Sequence, residues 1–380
     1  MSKKAKKKVI IIGGGYSGVS LIDKLKNIDS LDLVLIDKST CHLLQTHIHK
    51  YLSTHYNKED ITFNYDKYCS DNGIKFICDE VLNINYDENC VITKKNYIQK
   101  YDYVVVATGS KSIFPDQIKN VFKYTKDIKN IENLDYYRNE FIKLIKNKPS
   151  NKNIVVVGGG VSGLQIACEY AYTIKKSKLS KDNIQVTIIE GMNTILPGLD
   201  NFLIKKSEER CDELGIKIVT NLFASEIYDN KIVLSNNTEV PYDMLIFVIG
   251  VMGNNIKNNN TKVTLNQRNQ FIVNDYYNIS DYKNAYSIGD VVESIDIGTN
   301  SFQSPTAQSA RMQAELIAKS ILNDINGKEQ IKNNISNKGI FIDLGGPKNA
   351  IGMILGVKLW DKLALWAKKT IYSLHTKKLK

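Results

Sequence analysis

Two stretches of this chain have the residue types and spacing to hold phosphate: Gly13-Gly14-Gly15-Tyr16-Ser17-Gly18 and Gly158-Gly159-Gly160-Val161-Ser162-Gly163. Both spell G-x-G-x-x-G. Gly13 or Gly158 permits a tight turn, Gly15 or Gly160 lets backbone approach a pyrophosphate, and Gly18 or Gly163 lets a helix close on a strand. The phosphate then meets the N-terminus of that helix, where unpaired amide groups and the helix dipole favour an anion. An acid follows each stretch: Asp37 comes 19 residues after Gly18, and Glu190 comes 27 residues after Gly163. A carboxylate there accepts hydrogen bonds from ribose hydroxyls. One such unit takes one dinucleotide, so two units predict two of them held together. Two redox dinucleotides in one polypeptide imply electron transfer.

The flanking sequence supplies the elements that such sites need. Val9-Ile10-Ile11-Ile12 and Ile154-Val155-Val156-Val157 are unbroken apolar runs, the pattern of parallel strands covered on both faces. A helical stretch and a second strand follow each. Tyr103-Val104-Val105-Val106-Ala107-Thr108-Gly109 is a further buried strand running into small residues, and Met244-Leu245-Ile246-Phe247-Val248-Ile249-Gly250 echoes it. The chain thus repeats a fingerprint followed by a strand-to-glycine segment, a partial internal duplication. Residues 74–100 alternate apolar and polar, as in a small antiparallel piece. A short strand ends at Gly289-Asp290, and a helix is expected over roughly 305–324.

Composition narrows the class. With 380 residues, 43% apolar and 24% charged, the chain is long enough for two domains with buried cores. No apolar run reaches the roughly 18 residues of a membrane-spanning helix. Lys3, Lys4, Lys6, Lys7 and Lys8 lead straight into the first strand without a signal-peptide pattern, which places the fold in the cytosol. The net charge of +11 attracts polyanions. No nucleic-acid motif accompanies it, so an anionic lipid surface is the favoured partner, with drift toward Lys- and Asn-rich usage as the plainer alternative. Cys41, Cys69, Cys78, Cys90, Cys168 and Cys211 form no C-x-x-C pair, which argues against a dithiol reductase. His42, His47, His49 and His55 are too irregularly spaced to read as a metal site, and no metal is expected.

Together these segments resemble the two-dinucleotide-binding flavoprotein superfamily and, within it, the type II NADH:quinone oxidoreductases. The resemblance covers nearly the whole chain. Gly13, Gly15 and Gly18 match the FAD fingerprint, with Asp37 where Glu is commoner, and Gly158, Gly160, Gly163 and Glu190 match the fingerprint for NADH. Cys41-His42-Leu43-Leu44-Gln45 resembles the loop that passes close to the flavin, Ala107-Thr108-Gly109 the first strand-to-glycine motif, and Gly289-Asp290 the motif whose carboxylate contacts FAD. Lys38, Gln45 and Gly250 are implied cofactor contacts. Thr306-Ala307-Gln308-Ser309-Ala310-Arg311-Met312-Gln313 is similar to the A-Q-x-A-x-Q element beside flavin and quinone, with Met312 at the second glutamine position. Ala307 and Gln308 are thereby implied at the flavin, with Gln308 a catalytic candidate. Gln165 is the other, standing where the family usually has Glu near the nicotinamide; Gln keeps hydrogen bonding and loses the charge.

The expected architecture is α/β, with two Rossmann-like dinucleotide-binding domains: FAD binding over 1–114 and 269–338, NADH binding over 115–268. A membrane-association region is expected over 339–380. On a helical projection Leu359, Trp360, Leu363, Trp366, Ala367, Thr370, Ile371 and Leu374 share one stripe, with Lys358, Lys362, Lys368 and Lys369 outside it. Such a helix suits the headgroup region, and Lys377, Lys378 and Lys380 would add attraction to anionic lipid. The resemblance implies oxidation of NADH and reduction of a membrane quinone without proton pumping, at the cytoplasmic face of the inner membrane. A homodimer is left open. The alternatives are a sulfide:quinone oxidoreductase, a soluble ferredoxin or rubredoxin reductase, and a redox-sensing FAD/NADH-binding protein.

Overall fold

The structure is a computed structural model that describes residues 5–147, 150–180, 182–256 and 262–376. Lys3, Lys4, Lys377, Lys378 and Lys380, and the side chains of Ile371 and Leu374, lie outside what is described.

The first parallel sheet is assembled from distant parts of the chain. Its strands are β1 (Lys7–Ile12), β2 (Leu31–Asp37), β3 (Lys75–Cys78), β4 (Tyr103–Val106) and a late strand, Ala285–Ser287, which adds beside β4. Val9 and Ile11 pack into the core on one face, Ile10 and Ile12 into a separate core on the other. That two-sided burial is why the run is apolar throughout rather than alternating. Helix α1 (Tyr16–Leu25) follows β1. Between β3 and β4 the chain makes the antiparallel three-stranded piece expected within 74–100, using 81–85, 90–93 and 98–100.

The second sheet repeats the plan with β5 (Lys152–Val157), β6 (Ile184–Ile189), Lys217–Val219 and Met244–Phe247, all parallel. Helix α2 (Val161–Lys176) follows β5, and Gly163, Leu164, Ile166, Ala167 and Cys168 on it are all buried. A direct tie joins the two sheets. Ser110–Ser112, just past the end of β4, pairs antiparallel with Val251–Gly253, just past the corresponding strand of the second sheet. Helix α3 (Ala307–Ile325) packs on α1, with Lys24 and Glu315 paired across them at 3.1 Å.

The C-terminal part departs from expectation. Leu359 and Trp360 belong to a strand, Val357–Trp360, the last of three in an antiparallel sheet with β7 (Gly339–Asp343) and Ala350–Ile354. The helix, α4, begins only at Asp361 and runs to Thr376. The cause is the two-residue turn Leu355-Gly356, where both residues have positive φ (48° and 80°). That geometry sends a chain back as a hairpin. Lys368 also departs: it is 4% exposed and faces inward with Ala364, while Leu363 and Trp366 are 67% and 69% exposed. No helix among the described residues is long and apolar enough to cross a membrane.

Candidate functional site

The first cradle forms where β1 passes into α1. Gly13 has φ +99°, and a Cβ there would run into the Ala107 carbonyl. A Cβ on Gly18 would land on the Gly13 carbonyl oxygen, so this glycine lets helix and strand close. Gly15 differs. A Cβ there would meet nothing within 4 Å, and no side chain caps the helix that starts after it. Open space in front of uncapped amide groups is the form an anion site takes.

Gly14, unassigned in the fingerprint, turns out to be tied down most firmly. Its amide donates to Asp37 Oδ2 at 2.7 Å, and its carbonyl accepts from the Tyr65 hydroxyl at 2.6 Å and from His42 Nδ1 at 2.9 Å. A Cβ at Gly14 would enter the Tyr65 ring. Burial pushes the Asp37 carboxyl above its usual range, against the pull of the Gly14 and Ser39 amides. Tyr65 is a residue that the sequence reading missed, because its partner lies 51 positions away. Lys38 is exposed beside Asp37, and Gln45 opens a short helical turn, Gln45–His47.

Past the end of β4, the Thr108 hydroxyl is buried and makes no hydrogen bond among the described residues. Gly109 has φ +69°. Ser110 Oγ donates to Asp290 Oδ2 at 2.6 Å and accepts from Lys129 Nζ at 2.5 Å, while Lys129 stands 3.6 Å from Asp290. Gly289, at φ +84°, precedes Asp290. Thus Thr108, Gly109, Gly289 and Asp290 come together from two neighbouring strand ends; the part of Lys129 was not legible. At the start of α3, Ala307 and Gln308 are part-exposed, and the Thr306 hydroxyl caps the helix by accepting the Ser309 amide at 3.1 Å. Gln313 is no substitute for the missing second glutamine. It is buried and its Oε1 accepts the Gly289 amide at 2.6 Å.

The second cradle repeats the first. Gly158 has φ +109°, a Cβ on Gly163 would land on the Gly158 carbonyl, and a Cβ on Gly160 would meet nothing. Both oxygens of Glu190 accept backbone amides: Gly159 at 2.7 Å and Met192 at 2.9 Å. In front lies a cavity of about 490 Å³, lined by Gly160, Val161, Glu190, Met192, Phe223 and Gly250 among others. Phe223 is 60% exposed on its wall. Gln165 is one turn along α2, buried. Each histidine has a hydrogen-bond partner: His42 bonds Gly14, His47 bonds Thr46, His49 bonds Asp343 at 2.7 Å, and His55 bonds Glu169 at 2.9 Å.

The donor set fits two dinucleotides, with an open glycine, an uncapped helix start and a bonded acid in each cradle, and an orphaned hydroxyl at Thr108 in the first. A family model for the pyridine nucleotide-disulphide oxidoreductases matches residues 7–314. The chain belongs to this family. Full-length relatives extend the match past residue 314. A type II NADH:quinone oxidoreductase of Staphylococcus haemolyticus is 26% identical, covering 96% of this chain and 94% of its own length. One from Haemophilus influenzae is 23% identical, over 97% and 93%. Among solved structures, a sulfide:quinone oxidoreductase of Aquifex aeolicus superposes with TM-score 0.82 at 21% identity, covering 98% of this chain and 91% of that one. NDH2 of Plasmodium falciparum in complex with NADH gives 0.80 at 19%, over 97% and 94%. These two show the shared fold, the α/β arrangement of two nucleotide cradles.

Proposed function

We propose that the chain is a type II NADH:quinone oxidoreductase that binds FAD in the first cradle and NADH in the second, reduces a membrane quinone, and pumps no protons. The observation that carries the reading is the pairing of Ser110–Ser112 with Val251–Gly253. It ties the exits of the two sheets into one two-stranded ladder, which sets the two cradles relative to each other. That fixes distance and orientation, the protein's main contribution when a cofactor carries the chemistry.

On this reading the start of α1, with Gly15 open before it, takes the FAD pyrophosphate, and Gly13 and Gly18 keep the turn tight enough to present it. Asp37, beside Lys38, faces the adenosine ribose. Thr108, Gly109 and Asp290 face the middle of the cofactor, with Gly289 giving the backbone room. Gln45, Ala307 and Gln308 stand near the flavin ring, where Gln308 offers hydrogen bonds to the reacting region. FAD supplies a carrier that takes a two-electron equivalent from NADH and gives it up to quinone. In the second cradle Gly158, Gly160 and Gly163 hold the NADH pyrophosphate, Glu190 accepts from the adenosine ribose, Gly250 forms the lip, and Gln165 serves the nicotinamide end. A carboxylate held by two backbone amides occupies the place where a 2′-phosphate would sit, so NADH is preferred over NADPH.

The outward Leu363 and Trp366, with Lys362 and Lys369 beside them on α4, support docking into an anionic membrane surface from the cytoplasmic side. Sulfide:quinone chemistry is disfavoured, because it needs paired cysteines beside the flavin, and the six here are scattered along the sequence. Cys168 and Cys211 lie against each other, fully buried on α2 and the helix Asn201–Leu214. The test is stopped-flow flavin absorbance: NADH should bleach the oxidised band and quinone should restore it. A purified protein that stays colourless after incubation with FAD would overturn the reading.

A further inference from the structure

Four elements of the chain bury charges together. The segment Ile48–Leu52 supplies His49 and Lys50, α2 supplies Gln165 and Glu169, β7 ends in Asp343, and α4 supplies Lys368. His49, Glu169, Asp343 and Lys368 are each at most 5% exposed. They sort into two sets. Glu169 pairs with Lys50 and with His55. Asp343 Oδ2 takes Lys368 Nζ at 2.8 Å and His49 Nε2 at 2.7 Å. Burial works to raise the Asp343 carboxyl, but the Lys368 charge and the His49 bond outweigh it and hold it well below the usual range.

Stability alone is a poor account of such a pair, because desolvation offsets most of the attraction. Asp343 Oδ1, moreover, is buried and accepts nothing among the described residues. What the pair does do is turn an amide. With the Gln165 amide assigned the orientation its surrounding donors require, its oxygen accepts the Asp343 backbone N–H at 3.1 Å and Lys368 Nζ at 3.2 Å. Reversing the amide would set its N–H2 against two donors, so one orientation is locked. The oxygen is used up and the N–H2 is turned away from Lys368. Gln165 stands one turn from Val161 and Ser162, which line the cavity of the second cradle.

We propose that Asp343 and Lys368 are positioning residues for the nicotinamide: they lock Gln165 with its oxygen inward, so that it presents an N–H2 donor to the carboxamide oxygen of the dinucleotide. A carboxylate at 165 would only accept, so this chain reads the carboxamide through its oxygen rather than its N–H2. The inference rests on the second cradle being the NADH site.

The test is a double-mutant cycle read by calorimetry on the FAD-loaded protein with two ligands, NAD+ and ADP-ribose, the second lacking the nicotinamide. Asp343→Asn and Gln165→Ala should each weaken NAD+ about fivefold, the worth of one hydrogen bond, while leaving ADP-ribose within about twofold. The double variant should be no weaker for NAD+ than Gln165→Ala alone, because Asp343 acts through Gln165. Asp343→Glu, which keeps a carboxylate, should recover most of the loss. If Asp343→Asn does not fold, Lys368→Gln takes its place in the same cycle. Wild-type NAD+ affinity in either single variant, equal weakening of both ligands, or independent effects that multiply in the double variant would overturn the proposal. A wild-type protein that binds neither ligand overturns the NADH site itself, and this inference with it.

Discussion

Glu190 and Gly159 are joined by a hydrogen bond of 2.7 Å from the glycine amide to Oε2, and Asp37 and Gly14 repeat it at 2.7 Å in the other sheet. In both domains the acid closing the second strand also pins the middle glycine of the turn. The carboxylate therefore shapes the cradle before any ribose arrives. In Glu190 the other oxygen is committed as well, to the Met192 amide. Glu190→Gln must then set an amide N–H2 against one backbone donor. The kcat/KM for NADH should fall about tenfold or more, on the scale of a lost charge-assisted bond, and the preference for NADH over NADPH should shrink. Steady-state kinetics with both donors checks this; an unchanged ratio would count against the role given to the acid.

Glycines of the second fingerprint separate binding from folding. A methyl on Gly163 would land on the Gly158 carbonyl, whereas one on Gly160 meets nothing in the protein. Helix propensity alone would favour alanine at 163 by about 1 kcal/mol, since the position lies inside α2. Overpacking should win, and Gly163→Ala should lose about 1–3 kcal/mol in urea unfolding. Gly160→Ala should stay within about 0.5 kcal/mol of wild type yet lose NADH binding, because its methyl occupies the space left for the pyrophosphate. Gly160→Ala with normal NADH affinity would mean that the dinucleotide lies elsewhere.

What the sequence disclosed and what it withheld follow one physical line. Gly13 and Gly18 obey rules local to a strand–turn–helix, so the tight turn and the close helix–strand approach were legible, and the angle at Gly13 and the crowding at Gly18 agree. Gly14 was not, because its use depends on Tyr65 in a segment that only folding brings near. Lys368 shows the same limit more sharply. A helical projection sets it among solvent-facing lysines, since the projection knows spacing and not partners. Asp343 and Gln165, arriving from other elements, make an inward lysine tolerable. Leu359 and Trp360 were assigned to a helix because apolar spacing ignores the Leu355-Gly356 turn that returns the chain as a strand.

His42 gives a signature in acid. Burial holds its imidazole down to about 4 from an ordinary 6.5, and the Gly14 bond opposes this only in part. Below pH 6.5 the unfolded chain takes up a proton that the folded chain refuses until about pH 4. Stability from this site is thus complete above 6.5 and lost as pH falls toward 4, by at most about 3 kcal/mol. His42→Asn, which can still donate to the Gly14 carbonyl, should flatten the urea-unfolding free energy over that window relative to wild type. Parallel pH profiles for the two proteins would show that His42 titrates normally in the fold.

The outer face of α4 makes a separable claim about the membrane. Leu363 and Trp366 are more than half exposed, and Leu355, in the turn between the last two strands, is 80% exposed. Partial insertion of a leucine and a tryptophan is worth about 1.5 kcal/mol each, so replacing both with Glu should lower partition onto anionic vesicles by on the order of a hundredfold. Lys362→Gln with Lys369→Gln should weaken binding less, and chiefly at low salt, as screened charge attraction requires. Since neither residue touches a cradle, NADH oxidation with a soluble dye should persist in the Leu363→Glu/Trp366→Glu variant while turnover with a membrane-embedded quinone falls. Vesicle binding at the wild-type level in that variant would place the docking surface on another part of the chain.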